Sequence, residues 1–264
     1  RLGSVSKTLL MTLAVRAKIT REQPDLFFDP RAVEMVSRLQ MSLTEFKMHR
    51  HDELGVVMRM AHLDSIVKRF LAVHPDGVVV HLGCGLDTRF DRVDNGRVSW
   101  FDLDVPEVIQ LRKQLLSEGN PRYQLIANSA FSLEWYPLLN PYLDKAKLFI
   151  AEGVLQYFPE EEVKGLFVRL HDRYKGCEIA ADAHTPFAVK LVNLELKAGK
   201  MATRMHWGLE NPANVEKWAE GIKLLEAWYY FEEAQSPLAR YKWMKFIPAI
   251  SKSTGIFHYR LGAQ

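Results

Sequence analysis

Between Asp52 and Leu71 the apolar residues Val56, Met60, Leu63, Val67, Phe70 and Leu71 recur at helical spacing, a stripe that must face a core. The chain before it reads as helical too. Ser6 to Lys18 is mostly apolar, and Asp29-Pro30 has the form of a helix start, with an acidic cap followed by proline. At Asp76-Gly77 the pattern changes. Val78-Val79-Val80-His81-Leu82 is a short β-branched run after glycine, the pattern of a buried parallel strand. Further strands are expected at Val98 to Leu103, Tyr123 to Ala127, Leu148 to Ala151 and Cys177 to Ala181. Helices are expected between some of them, at Pro106 to Leu116 and at Glu160 to Asp172, where Pro159 and Glu160-Glu161-Glu162 suit the positive end of a helix dipole. In the last third, Ile222 to Phe231 and Ile256 to Leu261 are candidate strands, and Phe187 to Leu196 and Tyr241 to Ile250 candidate helices.

Strand and helix alternating at this spacing imply an α/β fold around a parallel sheet with right-handed crossovers. The expected organisation is a single domain over 1–264, with a helical cap over 1–75 and a sheet-bearing core over 76–264. Lys197 to Lys223 interrupts the alternation and is expected to form a lid.

Composition narrows the function classes modestly. Hydrophobic residues make up 48% and charged residues 25% of the 264, ordinary values for a protein that buries a core. The net charge of +3 is spread along the chain, without the basic stripe of a nucleic-acid binder. No apolar run approaches the roughly 20 residues that span a bilayer, so no membrane partner is expected. Arg1 to Lys7 lacks the apolar core of a signal peptide, and a chain opening on Arg1 reads as trimmed. Cys84 and Cys177 are too few and too far apart for a disulfide framework, and a reduced, cytoplasmic setting is expected. Among nine histidines none are paired at the His-x-x-x-His spacing, and no metal is expected.

The chemistry concentrates in Leu82-Gly83-Cys84-Gly85-Leu86-Asp87-Thr88-Arg89, directly after the first strand. Glycines there permit positive φ or close approach of a ligand, and ligands of parallel sheets bind at the carboxyl ends of the strands. Gly83 and Gly85 alone are also compatible with a plain tight turn. About twenty residues on, Asp102 and Asp104 end the next strand, where an acidic side chain accepts hydrogen bonds from ribose hydroxyls. Either one can instead cap the helix near Pro106. A dinucleotide fingerprint needs a third glycine near Leu86-Asp87-Thr88, and none is present. Asp87 would repel a pyrophosphate but not a sulfonium, which favours S-adenosylmethionine over a nicotinamide cofactor.

Val79 to Arg89, Phe101 to Pro106 and Ala151-Glu152-Gly153-Val154-Leu155-Gln156-Tyr157-Phe158 together resemble the leucine carboxyl methyltransferase family. Thr12 to Ala17, Phe28-Asp29-Pro30 and Met205-His206-Trp207-Gly208 resemble its bacterial branch of polyketide O-methyltransferases. The resemblance implies a Rossmann-like class I methyltransferase sheet with helices on both faces and an added N-terminal helical region. It implies that Gly83 lies against the amino-acid part of the donor, that Asp104 holds its ribose and that Arg59 pairs with its carboxylate. Arg16 is a second candidate for that carboxylate by motif position, and Glu152 is placed near the methionine end. Two departures stand out. Cys84 replaces a usual alanine, and Asn128-Ser129 stand where the family's enzyme that methylates the C-terminal leucine of a protein phosphatase has Asp-Leu near the adenine.

The implied reaction is methyl transfer from S-adenosylmethionine to a carboxylate or hydroxyl of a small-molecule acceptor. A carboxylate, with a pKa of about 4, needs no base, whereas a phenol at about 10 benefits from one. Tyr157, Asp182, His184 and His206 are the candidates for base or acceptor contacts. Two other readings remain open at this point: a nicotinamide-dependent oxidoreductase, and a donor-binding protein without catalysis.

Overall fold

The computed structural model describes residues 7–43, 48–116, 119–198, 203–230 and 251–263. Their packing divides the chain into two compact units, 1–139 and 140–264. The first opens with three helices, α1 (Lys7–Glu22), α2 (Pro30–Arg38) and α3 (Arg50–Val73). Asp29 caps α2 as expected, its side chain accepting from the Ala32 N–H with proline next in the chain. On α3, Met60, Leu63, Val67, Phe70 and Leu71 are buried, so the expected stripe does face a core.

These helices pack on one another and beside the start of the sheet. Leu10, Leu13 and Ala17 of α1 pack with Ala32, Met35 and Val36 of α2, and with Leu86 and Leu115 beyond the first strand. Another face of α1 sets Val15 and Ile19 against Phe27 and against Val57 and Met60 of α3. The strands β1 (Val78–Leu82), β2 (Ser99–Asp104) and β3 (Tyr123–Ala127) pair in parallel in the order β3-β2-β1. A short α4 (Arg89–Val93) and α5 (Pro106–Leu115) join them. The N-terminal helices therefore share one packing unit with the first half of the sheet.

The second unit holds β4 (Lys147–Ala151), α6 (Glu160–Arg173), β5 (Cys177–His184), α7 (Pro186–Ala198), β6 (Lys223–Tyr229) and β7 (Thr254–Leu261). Here β4 and β5 are parallel, but β7 runs antiparallel to both β5 and β6 in the order β4-β5-β7-β6. The parallel pairing expected of β4 and β5 holds, and the final strands, whose direction the sequence leaves open, add antiparallel pairing. β5 extends three residues past its expected end, because Asp182 in that extension is fully buried and its carboxylate accepts from the Gly153 N–H at 2.6 Å. A buried carboxylate with a backbone donor does not break a strand. The expected helix at Tyr241 to Ile250 lies outside the described residues. Of the expected lid, Lys197 belongs instead to the end of α7 (Pro186–Ala198), residues 199–202 lie outside the described residues, and the part from residue 203 is anchored as set out below. Among the described residues no helix is long and apolar enough to cross a membrane.

Candidate functional site

The turn after β1 is held by hydrogen bonds from several directions. Gly83 and Gly85 take φ of 65° and 53°, the left-handed region that glycine tolerates. Both are half-buried, whereas Leu82, Cys84 and Leu86 around them are buried, so the turn opens to solvent at its glycines. At Gly85 it is the backbone angle that calls for glycine, since a Cβ would make only ordinary contact with the Leu9 side chain of α1, at 3.4 Å. Its bare side therefore faces a helix.

Asp104, at the carboxyl end of β2, is half-buried. Its Oδ2 accepts from the Gly85 N–H at 2.7 Å and its Oδ1 from the Val105 N–H at 2.7 Å. Helix α5 takes Val105 as its cap residue, without a side-chain cap, so Asp104 is no helix cap. Burial raises its pKa above the ordinary carboxylate value, and the two backbone donors offset that only in part. A fixed, partly exposed carboxylate beside a glycine turn is what a ribose diol requires.

Asp102 has a different place. It is 2% exposed, and its carboxylate is spent on Arg112, on Tyr123 Oη at 2.6 Å and on Trp100 Nε1 at 2.7 Å. Arg112 also donates to the carbonyls of Gly85 at 2.8 Å and Asp87 at 2.7 Å. Asp102 thus supports the turn from beneath, through Arg112, and its grouping with the donor-contacting residues is corrected. Burial, followed by the Asp102 charge, drives the Tyr123 phenol well above its usual range.

Arg16 is likewise an internal strut. It is 1% exposed, pairs with Asp29 at 2.5 Å and donates to the Leu86 carbonyl at 2.7 Å. Consecutive carbonyls of the turn, at Gly85, Leu86 and Asp87, are therefore each held by a buried guanidinium. The Asp87-Thr88-Arg89 continuation serves the same end. Arg92 reaches Asp87 at 2.9 Å and Asp64 at 2.7 Å, Arg89 reaches Asp64 at 2.6 Å, and Thr88 donates to Asp29 at 2.7 Å. Burial alone would raise the Asp87 pKa, but the charges of Arg92, Arg89 and Arg16 outweigh it and hold the carboxyl well below its usual range. Sequence reasoning missed Asp64, Arg92 and Arg112. Asp64 left a signal, a charged residue four positions after Met60 and three before Val67, on the apolar stripe.

Of the other expected residues in this unit, Arg59 is half-buried on α3. Asn128 and Ser129 form a turn after β3: Asn128 Oδ1 accepts from the Ser129 N–H at 2.8 Å and its amide donates to Glu134 at 3.0 Å.

The second unit repeats the latch found at Asp104. Gly153, with φ of 67°, follows β4 as Gly85 follows β1, and donates to Asp182 on the adjacent β5 as Gly85 donates to Asp104 on β2. Glu152 beside it is half-buried. Past them, the Gln156 carbonyl accepts from the N–H groups of His206 at 2.7 Å and Trp207 at 3.2 Å. The Asn193 amide brackets Met205, accepting from its N–H and donating to its carbonyl at 2.9 Å each, and the Leu209 N–H reaches the His184 carbonyl at 2.7 Å. Residues 205–209 are therefore a strap tied to the carboxyl ends of β4 and β5. His206 projects from it as an exposed residue, Tyr157 is half-buried, and His184 is half-buried with Nδ1 2.8 Å from Thr254 Oγ1.

The half-buried turn glycines and the anchored Asp104 fit an adenosine-bearing methyl donor. The comparisons with known proteins agree. The chain is 32% identical, over 86% of its length and 84% of the relative's, to the tetracenomycin polyketide synthesis O-methyltransferase TcmP of Streptomyces glaucescens. It is 27% identical, over 92% and 88%, to the S-adenosyl-L-methionine-dependent methyltransferase dpfgK of Gibberella zeae. Its fold resembles the magnesium protoporphyrin IX methyltransferase of Synechocystis, solved with bound S-adenosylhomocysteine, at a TM-score of 0.50 and 14% identity over 86% and 93%. It is an S-adenosylmethionine-dependent methyltransferase with a Rossmann-like α/β fold, and the nicotinamide alternative is not favoured. With the leucine carboxyl methyltransferase model matching residues 9–171, the chain belongs to the leucine carboxyl methyltransferase family.

Proposed function

We propose that the protein methylates a carboxylate or hydroxyl oxygen of a small acceptor, with Gly83, Gly85, Asp104, Arg59 and Glu152 holding the donor. The observation that carries the donor site is the Asp104 carboxylate, half-exposed and fixed by the Gly85 N–H at 2.7 Å. When bound, S-adenosylmethionine supplies an electrophilic methyl group on a sulfonium. The protein's share is alignment and exclusion of water. Asp104 receives the ribose hydroxyls, Arg59 pairs with the donor carboxylate, and Glu152 complements the cationic end.

His184 suits acceptor chemistry best among the candidate bases. Its Nδ1 is engaged by Thr254, which fixes the ring orientation at the carboxyl end of β5. His206 and Tyr157 flank the same loops and are assigned acceptor contacts. Asn128 and Ser129 are assigned to the adenine edge. Cys84 and Cys177 are both unpaired and buried, which supports placing the enzyme in the cytoplasm. O-methyltransfer is the activity given by name to TcmP, and it is the reading adopted for this chain.

The test is transfer of radiolabelled methyl from S-adenosylmethionine to a panel of aromatic carboxylic acids and phenols. Base-labile product marks an ester and base-stable product an ether. Label in neither, with S-adenosylhomocysteine bound, would overturn the acceptor assignment.

A further inference from the structure

Gln156 is 2% exposed, yet its side-chain Oε1 is buried without a hydrogen-bond partner. Buried polar atoms are overwhelmingly paired, and one that is not asks for a reason. Arg112 and Arg260 also bury an orphaned Nε, but their guanidinium ends are paired with Asp102 and Glu178. At Gln156 the unpaired atom is the only side-chain acceptor the residue has.

Its position gives the reason. Gln156 lies in the loop after β4, four residues beyond Glu152, and its main-chain carbonyl is tied to His206 and Trp207 of the strap. The strap in turn is tied to His184 at the end of β5. Ligands of sheets of this kind bind outside the carboxyl ends of parallel strands, and β4 and β5 are such a pair. A lone buried acceptor there would select a ligand that brings an O–H or N–H. A ligand lacking the donor would leave it unpaired, a far stronger discrimination than a missing methylene.

We propose that Gln156 sets acceptor specificity: its Oε1 accepts a hydrogen bond from a hydroxyl that the acceptor carries next to the oxygen being methylated. The inference rests on the O-methyltransferase reading above. The favoured acceptor is then a hydroxylated acid or a diphenol, distinguished from its deoxy counterpart.

The test uses Gln156→Met, which keeps length and flexibility and removes the amide, with Gln156→Leu as a second variant. The probes are 3-hydroxy-2-naphthoic acid, 2-naphthoic acid and S-adenosylhomocysteine. Without ligand the Met variant is expected to melt at or above the wild type, since replacing an unpaired polar group by an apolar one is neutral or stabilising. Its affinity for S-adenosylhomocysteine should stay within about twofold. The wild-type preference in kcat/KM for the hydroxy acid should fall by about tenfold, the scale of one lost hydrogen bond. Melting several degrees below wild type in both variants would mean that the amide is bonded within the fold, and would overturn the proposal. An unchanged preference would overturn it as well. Wild-type protein that binds S-adenosylhomocysteine and methylates neither acid defeats the acceptor class and this inference with it; wild-type protein that does not bind S-adenosylhomocysteine defeats the donor site instead.

Discussion

Gly85 donates its backbone N–H to the side chain of Asp104 across 2.7 Å, joining the turn after β1 to the end of β2. The bond orients the carboxylate and consumes one of its lone pairs, leaving others for a ribose diol. Asp104→Asn keeps an acceptor for Gly85 but loses the charge. Its expected effect is a loss of about 1–3 kcal/mol in S-adenosylhomocysteine binding, with the melting temperature lowered by only the few degrees that one lost backbone hydrogen bond, to Val105, accounts for. Calorimetric titration beside a thermal melt checks both, and a melt lowered by many degrees would reassign Asp104 to the scaffold.

Asp102→Ala should show the opposite profile. It leaves Arg112 buried without its carboxylate, and losing one partner of a buried pair costs about 3–5 kcal/mol. Urea denaturation should register that loss directly, together with weaker donor binding because Arg112 holds the carbonyls of Gly85 and Asp87. A stable Asp102→Ala protein with impaired binding alone would contradict the supporting role.

Acidification should separate the two groups of carboxylates. Burial raises the folded-state pKa of Asp104 above the ordinary 3.8, so on lowering the pH it protonates before an exposed aspartate does. Protonation favours the ligand-free fold at this site and removes the charged acceptor. Donor affinity is therefore expected to fall as the pH drops through that raised value, with Asp104→Asn giving a flatter profile. Asp87 is held well below its ordinary value, so its stabilising contribution is intact above the unfolded-state pKa and is lost only as the pH falls through the depressed one. Titrations of S-adenosylhomocysteine from about pH 7 to 4, beside melts over the same range, should show binding fail before folding does. Coincident losses would refute the separation.

Arg59→Met is expected to weaken the full donor but leave adenosine, which has no carboxylate, nearly unchanged. Met preserves an apolar stem on α3 and removes the guanidinium. Equal losses for both ligands would mean that Arg59 shapes the site and does not meet the carboxylate.

Gly208→Ala probes the strap. A Cβ there would lie 2.8 Å from Pro186 N and 3.0 Å from Thr185 C, both backbone atoms. Neither can swing aside, and overpacking of this kind costs about 1–3 kcal/mol. The melt should drop and the acceptor KM rise while donor affinity holds. A strap that moves freely would accept alanine without either change.

The sequence located β1 and β3 to the residue, β1 as a β-branched run after Gly77 and β3 as a short stretch between the turn residues Asn120-Pro121 and Asn128-Ser129. It also placed the polar ends of β2 and β4, where Asp104 and Glu152 emerge. What it did not resolve was which charged residues face inward. Asp102 and Asp104 alternate on one strand, and only the presence of Arg112, ten residues on in α5, decides that Asp102 is the buried one. Arg16 and Arg59 look alike as arginines on helices, yet Arg16 is enclosed by Asp29 and the Leu86 carbonyl. Such pairings join residues far apart in sequence, and local pattern carries no record of them. The unpaired acceptor of Gln156 is equally invisible, since a polar residue in a loop ordinarily meets water.

The bond from Arg16 to the Leu86 carbonyl spans 70 residues and that from Thr88 to Asp29 spans 59. The turn after β1 cannot take its final shape until that long segment of chain has closed on itself, and closures over such separations are slow steps in folding. A ribosome-bound nascent chain that has emerged through Arg89 holds every residue of the turn but not all that fix it, because Asp104 and Arg112 have still to follow. For protein engineers the same bonds mean that the N-terminal helices are not an exchangeable module. A chimera that grafts a relative's helices onto this sheet must also bring residues equivalent to Arg16 and Asp29, or the transplant will lack a correctly shaped turn after β1.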